Sequence, residues 1–412
     1  MENDILSFTY NLGRKMMKKD ISSKLKSIQP SVTLAITAKA KSLKAQGIDI
    51  IGFGAGEPDF KTPKHIRDAA IRAIEHESIG YTAASGMESL KQAICDKFKR
   101  DNNLEYTQDQ IVVSNGAKHS LYNILAAICN PGDEVIVPNP YWVSYPELVR
   151  LVDAEPVFVE CPESAEFKYT VEALEAAITD KTKAIILNTP NNPTGTAYNE
   201  EDLRKIADLA VKHNIYVISD EIYEKLLYEG THVSIASFND EIKDLTIVVN
   251  GVAKAHAMTG WRIGYTASNK EIAKVMSNFQ SHATSNPNTI AQYATIEALN
   301  GPEDTLNEMV KAFKERRDFM VDKINSIENL SCLKPQGAFY VMVNISQLLG
   351  KTIGGKVIEN SIDLADYLLD NAKVAVVPGI GFGNDNYVRL SYATSLENIK
   401  EGLDRIEKAI AL

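Results

Sequence analysis

Seven short apolar runs between residues 110 and 268 constrain the fold more than any other feature of the sequence. They are rich in β-branched residues and read QIVVS, DEVIVP, EPVFVE, TKAIILN, IYVISD, TIVVN and WRIGYTA. Amphipathic helical patterns separate most of them. In EDLRKIADLAVKHN, apolar residues recur at helical spacing, at Leu203, Ile206, Ala207, Ala210 and Val211. Apolar strands alternating with such helices predict a mostly parallel sheet covered by helices on both faces.

The pattern changes after about residue 300, where a long charged helix leads to the shorter runs GAFYVMVNI, KVAVVPG and NYVRLSYAT. The helical stretch SVTLAITAKAKSLKAQ near the start of the chain is expected to join them. We therefore predict an α/β fold with two domains. Residues 62–305 form a large domain with a seven-stranded, mostly parallel sheet between helices. Residues 21–61 and 306–412 form a smaller α+β domain from both chain ends, and residues 1–20 form a disordered tail.

Composition excludes several classes of partner. The 412 residues carry a net charge of -10, which argues against a general affinity for nucleic acid or anionic membranes. No apolar run reaches the ~18 residues that a membrane span needs, and the first residues lack a signal-peptide core. The cysteines at 95, 129, 161 and 332 form no CxxC pair, so neither a zinc site nor a disulfide framework is expected. A cytoplasmic protein fits these observations.

Unusual polar residues follow several of the predicted strands at their carboxyl ends. SNGAK follows the first strand, NTPNNPTG the fourth, DEIYE closes the fifth, and GVAK follows the sixth. Open parallel sheets bind their ligands in the crevice beyond these ends. The shared location therefore predicts one ligand site.

Each of these residues also has an ordinary structural interpretation. Gly116 and Ala117 fit an anion cradle or a plain turn. Asp220 fits either a partner for a cationic ring of a ligand or a helix N-cap. In the first interpretation, Tyr223 points its hydroxyl at the same ligand. Asn188, Asn191 and Asn192 fit a turn, or one of them donates to a ligand. Trp142 fits a stacking residue of the site or an ordinary core tryptophan. Lys254 and Arg262 fit site cations or ordinary surface side chains.

Taken together, a phosphate cradle, a carboxylate for a ring nitrogen, a stacking aromatic ring and a lysine describe a site for pyridoxal 5'-phosphate. This cofactor forms a Schiff base with a lysine and acts as an electron sink.

Six ordered motifs carry a resemblance to a known family. They are AGEPDF, YWVSYPE, NNPTG, SDEIYE, AKAHAMTGWRIGY and VRLSYATS. The sequence resembles the fold-type-I, class I/II pyridoxal-phosphate aminotransferases over nearly everything after residue 20. Within that family it is most similar to bacterial aspartate aminotransferases.

The resemblance implies a role for each matching residue. Lys254 forms the Schiff base, Asp220 pairs with the pyridinium nitrogen, and Tyr223 and Asn192 bond the phenolic oxygen. Trp142 stacks on the ring, while Gly116, Ala117 and Arg262 hold the phosphate. Tyr81 reaches the cofactor of the neighbouring subunit, which implies a homodimer. The substrate is held by Gly56 and Arg389 at its α-carboxylate, by Lys118 at its side-chain carboxylate, and by Trp142 and Asn192.

Three departures from the family pattern stand out. His256 occupies a position that is usually Tyr or Phe, and YTAASG has an alanine where proline is common. Gln29 stands where members that accept prephenate carry lysine, so we expect no prephenate activity.

The implied activity is transfer of an amino group between L-aspartate, or another acidic amino acid, and 2-oxoglutarate. It would proceed by a ping-pong mechanism (EC 2.6.1.1). Two alternatives remain open on the same fold, namely an aminotransferase for aromatic or neutral amino acids and a C–S lyase. A third alternative is a non-enzymatic ligand-sensing module. No metal site is expected.

Overall fold

A computed structural model describes residues 21–28 and 32–411. The predicted tail 1–20 and Gln29 lie outside the described residues. Helices over the described ranges are α1 (Ser23–Ser27), α2 (Val32–Ala45), α3 (Lys64–His76), α4 (Glu88–Asn102), α5 (Ala117–Ile128), α6 (Tyr145–Leu151), α7 (Val171–Ala177), α8 (Glu200–His213), α9 (Asp240–Leu245), α10 (Lys270–Ala283), α11 (Thr289–Asn300), α12 (Asp304–Ser326), α13 (Ser361–Tyr367) and α14 (Leu396–Ile410).

The strands begin and end as follows: β1 (Ile51–Gly52), β2 (Ile111–Ser114), β3 (Glu134–Asn139), β4 (Glu155–Glu160), β5 (Thr182–Asn188), β6 (Tyr216–Asp220), β7 (Thr246–Gly251), β8 (Gly264–Ala267), β9 (Tyr340–Asn344), β10 (Thr352–Ile353), β11 (Lys356–Val357), β12 (Val374–Ala375), β13 (Val377–Pro378) and β14 (Tyr387–Ser391).

The seven apolar runs form one sheet, in the order β2-β8-β7-β6-β5-β3-β4. Strand β8 runs antiparallel to both of its neighbours, and every other pairing is parallel. The prediction of a seven-stranded, mostly parallel sheet is therefore confirmed. Central strands β5, β6 and β7 are almost entirely buried, as expected for a parallel sheet covered on both faces.

Helix α8 illustrates how the sequence specifies its elements. The side chain of Asn199 caps its first turn by accepting from the Asp202 amide at 2.8 Å. Glu200, Glu201 and Asp202 place negative charge beside the positive end of the helix dipole. The stripe that contains Leu203, Ile206, Ala207 and Ala210 is buried against the sheet.

A second, three-stranded antiparallel sheet has the order β13-β14-β9 and comes from the C-terminal part of the chain. Strand β1, near the N-terminus, pairs in parallel with β12. Ile51 and Phe53 pack into the same core as α12 and α14. We propose from these contacts that both chain ends contribute to the smaller domain. No helix of the described ranges has the length and apolar character that crossing a bilayer requires.

Candidate active site

One cavity of about 610 Å³ lies where the carboxyl ends of β5, β6 and β7 face the segment that follows β1. Register places Asn188 beside Asp220, and Asp220 beside Val249, so these strands end at the same edge. Ten of the residues predicted for the site line this cavity: Gly56, Ala117, Lys118, Trp142, Asn192, Asp220, Tyr223, Lys254, Arg262 and, from β14, Arg389.

Asp220 ends β6 as a buried carboxylate, with only 4% of the residue exposed. Its Oδ2 accepts from the Tyr145 hydroxyl at 2.8 Å, and its Oδ1 accepts from the Ile222 amide at 3.3 Å. Burial raises the pKa of Asp220 to about 6. The segment after it forms turns, not a helix, so the N-cap interpretation is wrong. No cationic side chain of the described residues lies within ion-pair distance of this carboxylate.

Lys254 projects into the cavity from the turn after β7. Its Nζ donates to the Gly56 carbonyl and lies 5.6 Å from the ring centres of Tyr223 and Phe339. Burial, together with the positive charge of Arg389, lowers the pKa of Lys254 to about 8. A lysine amine in this state loses its proton more readily than a solvated one, which favours nucleophilic and base chemistry. The interpretation as a solvated surface lysine therefore fails.

The anion cradle lies at the start of α5. Gly116 precedes the helix with φ of 90°, and a Cβ on it would lie 2.3 Å from Arg262 Nη2. A side chain here would require the guanidinium to move, and the positive φ itself favours glycine. Arg262 donates to the Thr259 carbonyl at 3.0 Å and to the Asn115 carbonyl at 3.3 Å. Helix amides and a guanidinium therefore face the same space.

Arg389 lines the same cavity as Asp220 and is 2% exposed. Its Nη1 donates to Asn192 Oδ1 at 3.0 Å and its Nη2 to the Gly54 carbonyl at 3.2 Å. Its Nε is buried without a hydrogen-bond partner in the structure. A buried, incompletely satisfied guanidinium that lines a cavity can bind a planar carboxylate.

Aromatic side chains shape the remaining walls. Trp142 packs edge to face on Tyr145 at 5.3 Å, and Lys118 Nζ lies 4.9 Å from the Trp142 ring centre. Partial burial and the neighbouring charge of Arg262 lower the pKa of Lys118. The Tyr223 hydroxyl lies 3.1 Å from that of Tyr340.

The three asparagines of NTPNNPTG divide between structure and site. Asn191 accepts from Thr194 and holds the turn. Asn188 donates to the Asp220 carbonyl at 2.9 Å and so fixes the strand end. Asn192 accepts from the Arg389 guanidinium, so its side chain contacts the side chain of another residue predicted for the site.

Two predicted residues do not line the cavity. Gly116 adjoins it through Arg262, whereas Tyr81 is 93% exposed on the surface of this chain. Conversely, sequence reasoning missed Tyr145, Tyr340 and Glu57, which line the cavity. Tyr145 lies within YWVSYPE, three residues after Trp142, so its motif was a usable signal. Apolar neighbours in GAFYVMVNI give Tyr340 the pattern of an ordinary core residue.

Comparisons with known proteins agree with this geometry. The family model for aminotransferase class I and II matches residues 48–406. The aspartate aminotransferase of Bacillus sp. (strain YM-2) is 52% identical and covers 96% of this chain and 100% of its own length. The crystal structure of the aspartate aminotransferase from Rhizobium meliloti aligns with a TM-score of 0.92 at 44% identity, covering 95% of this chain and 99% of that one. The Thermus thermophilus aspartate aminotransferase with maleate has a TM-score of 0.90 at 42% identity, covering 95% and 100%.

Proposed function

The chain belongs to the class I and II aminotransferases, and from this premise we propose that it moves an amino group between L-aspartate and 2-oxoglutarate with pyridoxal phosphate. One observation carries the proposal most directly. Asp220 is a buried carboxylate without a cationic partner among the described residues, facing a cavity that also holds the amine of Lys254. A buried carboxylate is costly unless it is paired, so the missing partner is expected to be a cationic ligand.

The residues present fit this cofactor at four points, namely its ring nitrogen, its ring face, its phenolic oxygen and its phosphate. Asp220 would pair with its protonated ring nitrogen, and Trp142 would pack on the ring face. Tyr223 and Asn192 would reach the phenolic oxygen. Ala117, at the first turn of α5, and Arg262 would hold the phosphate, since a helix N-terminus and a guanidinium both bind anions. Gly116 supports this arrangement because any side chain there would displace Arg262.

When bound, pyridoxal phosphate would supply a cationic ring that can accept the electron pair of the substrate's breaking Cα–H bond. The chain's own residues do the rest. Lys254, with its pKa lowered to about 8, holds and moves the proton at the substrate Cα. Arg389 orients the α-carboxylate, with Gly56 beside it. The aromatic walls exclude water, which strengthens each of these contacts.

Lys118 supports an acidic substrate. It lies at the start of α5, where the helix dipole disfavours a cation, so an anionic ligand would relieve this position. The Thermus thermophilus relative was solved with maleate, a small dicarboxylate, which is consistent with two carboxylate-binding groups in one cavity.

Lys118→Ala is expected to raise KM for aspartate and glutamate at least ~5-fold and to leave alanine nearly unchanged, because only the acidic substrates carry a second carboxylate. Steady-state kinetics with the three amino acids measure this. Lys270→Ala, on an exposed face paired to Asp109, is the matched control and should change none of them. An equal loss for all three amino acids would remove Lys118 from substrate selection.

A half-reaction panel tests the proposed function. Single amino acids are added to the holoenzyme without an oxo-acid acceptor, and the change in cofactor absorption is followed. Aspartate and glutamate should convert the cofactor fastest. Faster conversion by aromatic or neutral amino acids would favour the first alternative, and release of pyruvate from a cysteine conjugate would favour a C–S lyase. No spectral change with any of them would favour the sensing module.

We also propose a cytoplasmic homodimer. Ile71, Ile74, Ile79 and Tyr81 are exposed on and just after α3, where an apolar partner surface would cover them. All four cysteines are free, as expected in a reducing compartment.

The dimer has its own test. The wild type should sediment as a dimer in sedimentation velocity, and Ile74→Asp should increase the share of monomer, because it would place a charge in the interface. Ile362→Asp is the control, because Ile362 is a similarly exposed apolar residue elsewhere on the chain. A wild-type protein that sediments as a monomer would contradict the proposal.

A further inference from the structure

The segment that carries Asp220 and Tyr223 has a second, buried side. Asp220 and Tyr223 line the cavity, whereas Glu221 and Glu224 do not. Both glutamates are buried, with Glu221 fully inaccessible. Two carboxylates are therefore enclosed directly behind the two residues that face the proposed cofactor.

Glu221 is satisfied by residues near it in sequence. Its Oε1 accepts from the Ser219 hydroxyl at 2.8 Å and from the Ser234 hydroxyl at 2.7 Å. Its Oε2 lies 2.9 Å from His232 Nε2. The amide of Glu221 donates to the Val249 carbonyl at 2.9 Å, which ties this point of the chain to β7.

Glu224 is paired separately. It forms an ion pair with Lys97 from α4 and accepts from Asn102 Nδ2 at 2.8 Å. Glu221, Glu224 and His232 have the spacing of a metal-ligand set. The Lys97 ammonium, however, already supplies a cation to this cluster. With His232 protonated, two carboxylates and two cations balance.

We infer that His232 is a positioning residue for Asp220, since its charge neutralises the Glu221 carboxylate next to it in sequence. This inference rests on the proposed function in one respect: the absorption of the bound cofactor is the signal that reports the electrostatic effect of His232. The groups facing Asp220 are Tyr145 from α6, the Ile222 amide, Glu221 and the more distant Lys254.

The electrostatics agree with this geometry. The groups facing His232 are Glu221, Glu224 and Lys97. Despite its burial, which disfavours charge, the charge of Glu221 raises the pKa of His232. The charge of Glu221 also acts on Asp220, whose pKa it raises further. Loss of the His232 cation would leave one uncompensated negative charge beside Asp220 and would raise the proton affinity of every group near it.

Absorption titration of the holoenzyme tests the inference. His232→Gln should move the pH midpoint of the cofactor spectrum upward by at least about 0.5 unit, which is about a three-fold change in the proton dissociation constant. The double variant Glu221→Gln/His232→Gln removes both charges and should titrate within about 0.2 unit of wild type. His213→Gln, at the end of α8, is the matched control and should not move the midpoint.

Two outcomes would overturn the inference. One is a His232→Gln holoenzyme that is less stable but titrates like wild type, because that result assigns His232 a purely structural role. The other is an NMR titration of the wild type that shows a neutral His232 ring at pH 7. This measurement does not depend on the folding of any variant. A wild-type chain that gives no cofactor spectrum would instead contradict the proposed function and leave the NMR test of His232 intact.

Discussion

Lys254→Ala is expected to lower turnover of aspartate by at least ~100-fold, the low end for loss of one acid–base group. The structure explains why no other residue would substitute. Four of the described lysines line the cavity, namely Lys41, Lys44, Lys118 and Lys254. Of these four, only Lys254 donates to the Gly56 carbonyl and lies near the Tyr223 ring. Steady-state kinetics on purified holoenzyme, with thermal unfolding to verify folding, measure the effect.

Lys254→Arg is the informative companion. Arginine keeps the positive charge but stays protonated at all accessible pH values, so it should be as inactive as alanine. Lys243→Ala controls for the general effect of losing a lysine, because Lys243 is partly exposed and donates to the Glu105 carbonyl. Turnover near that of wild type in Lys254→Ala would end the mechanism proposed above.

Asp220→Asn is expected to lower turnover by about 10²- to 10³-fold. Breaking a buried charge pair costs about 3–5 kcal/mol, because the partner is left uncompensated. Asparagine has nearly the same shape as aspartate, so the change removes charge with little change of packing. Tyr145→Phe, which removes only the hydrogen bond to Asp220 Oδ2, should have a smaller effect on turnover, about ten-fold or less.

Asp220→Asn, which is expected to lower turnover, should raise the free energy of unfolding of the ligand-free protein at pH 8. In the ligand-free protein the pKa of Asp220 is raised from 3.8 to about 6, so the folded state binds this proton more tightly than the unfolded state. Its stabilising contribution is complete below pH ~4 and is lost as pH rises through about 6, a change of about 3 kcal/mol. Ligand-free Asp220→Asn should therefore be more stable than wild type at pH 8 and similar to it at pH 4. A variant less stable than wild type at pH 8, measured by urea unfolding, would contradict the burial account of Asp220.

Much of the fold follows from local pattern. The seven β-branched runs form the seven strands of one sheet. The central strands β5, β6 and β7 are apolar enough to be buried on both faces, whereas the edge strand β4 is partly exposed. The helix predicted over SVTLAITAKAKSLKAQ is present as α2. The segment EIYEKLL, by contrast, forms turns, and its Glu221 and Glu224 side chains make buried charged contacts with His232 and Lys97.

The sequence predicted which residues belong to the site more completely than it predicted the contacts among them. Placing polar residues at strand ends brought Asp220 and Lys254 to one crevice. Arg389 lies far from them in sequence, on β14, which pairs with β9, so its assignment to the site came from the family resemblance. Its contact with Asn192 is seen only in the structure. The contact of Tyr145 with Asp220 and the pairing of His232 with Glu221 depend on tertiary packing, which no local pattern specifies.

The central claim is that Lys254 forms a covalent imine with pyridoxal phosphate, and mapping the site of this bond tests it most directly. Holoenzyme is treated with borohydride, which reduces an imine to a stable amine, then digested and analysed by mass spectrometry. The account predicts a single phosphopyridoxyl adduct on the peptide that contains Lys254, absent from Lys254→Arg protein. An adduct on Lys118 or any other lysine, or a chain that takes up no chromophore when pyridoxal phosphate is supplied, would contradict it.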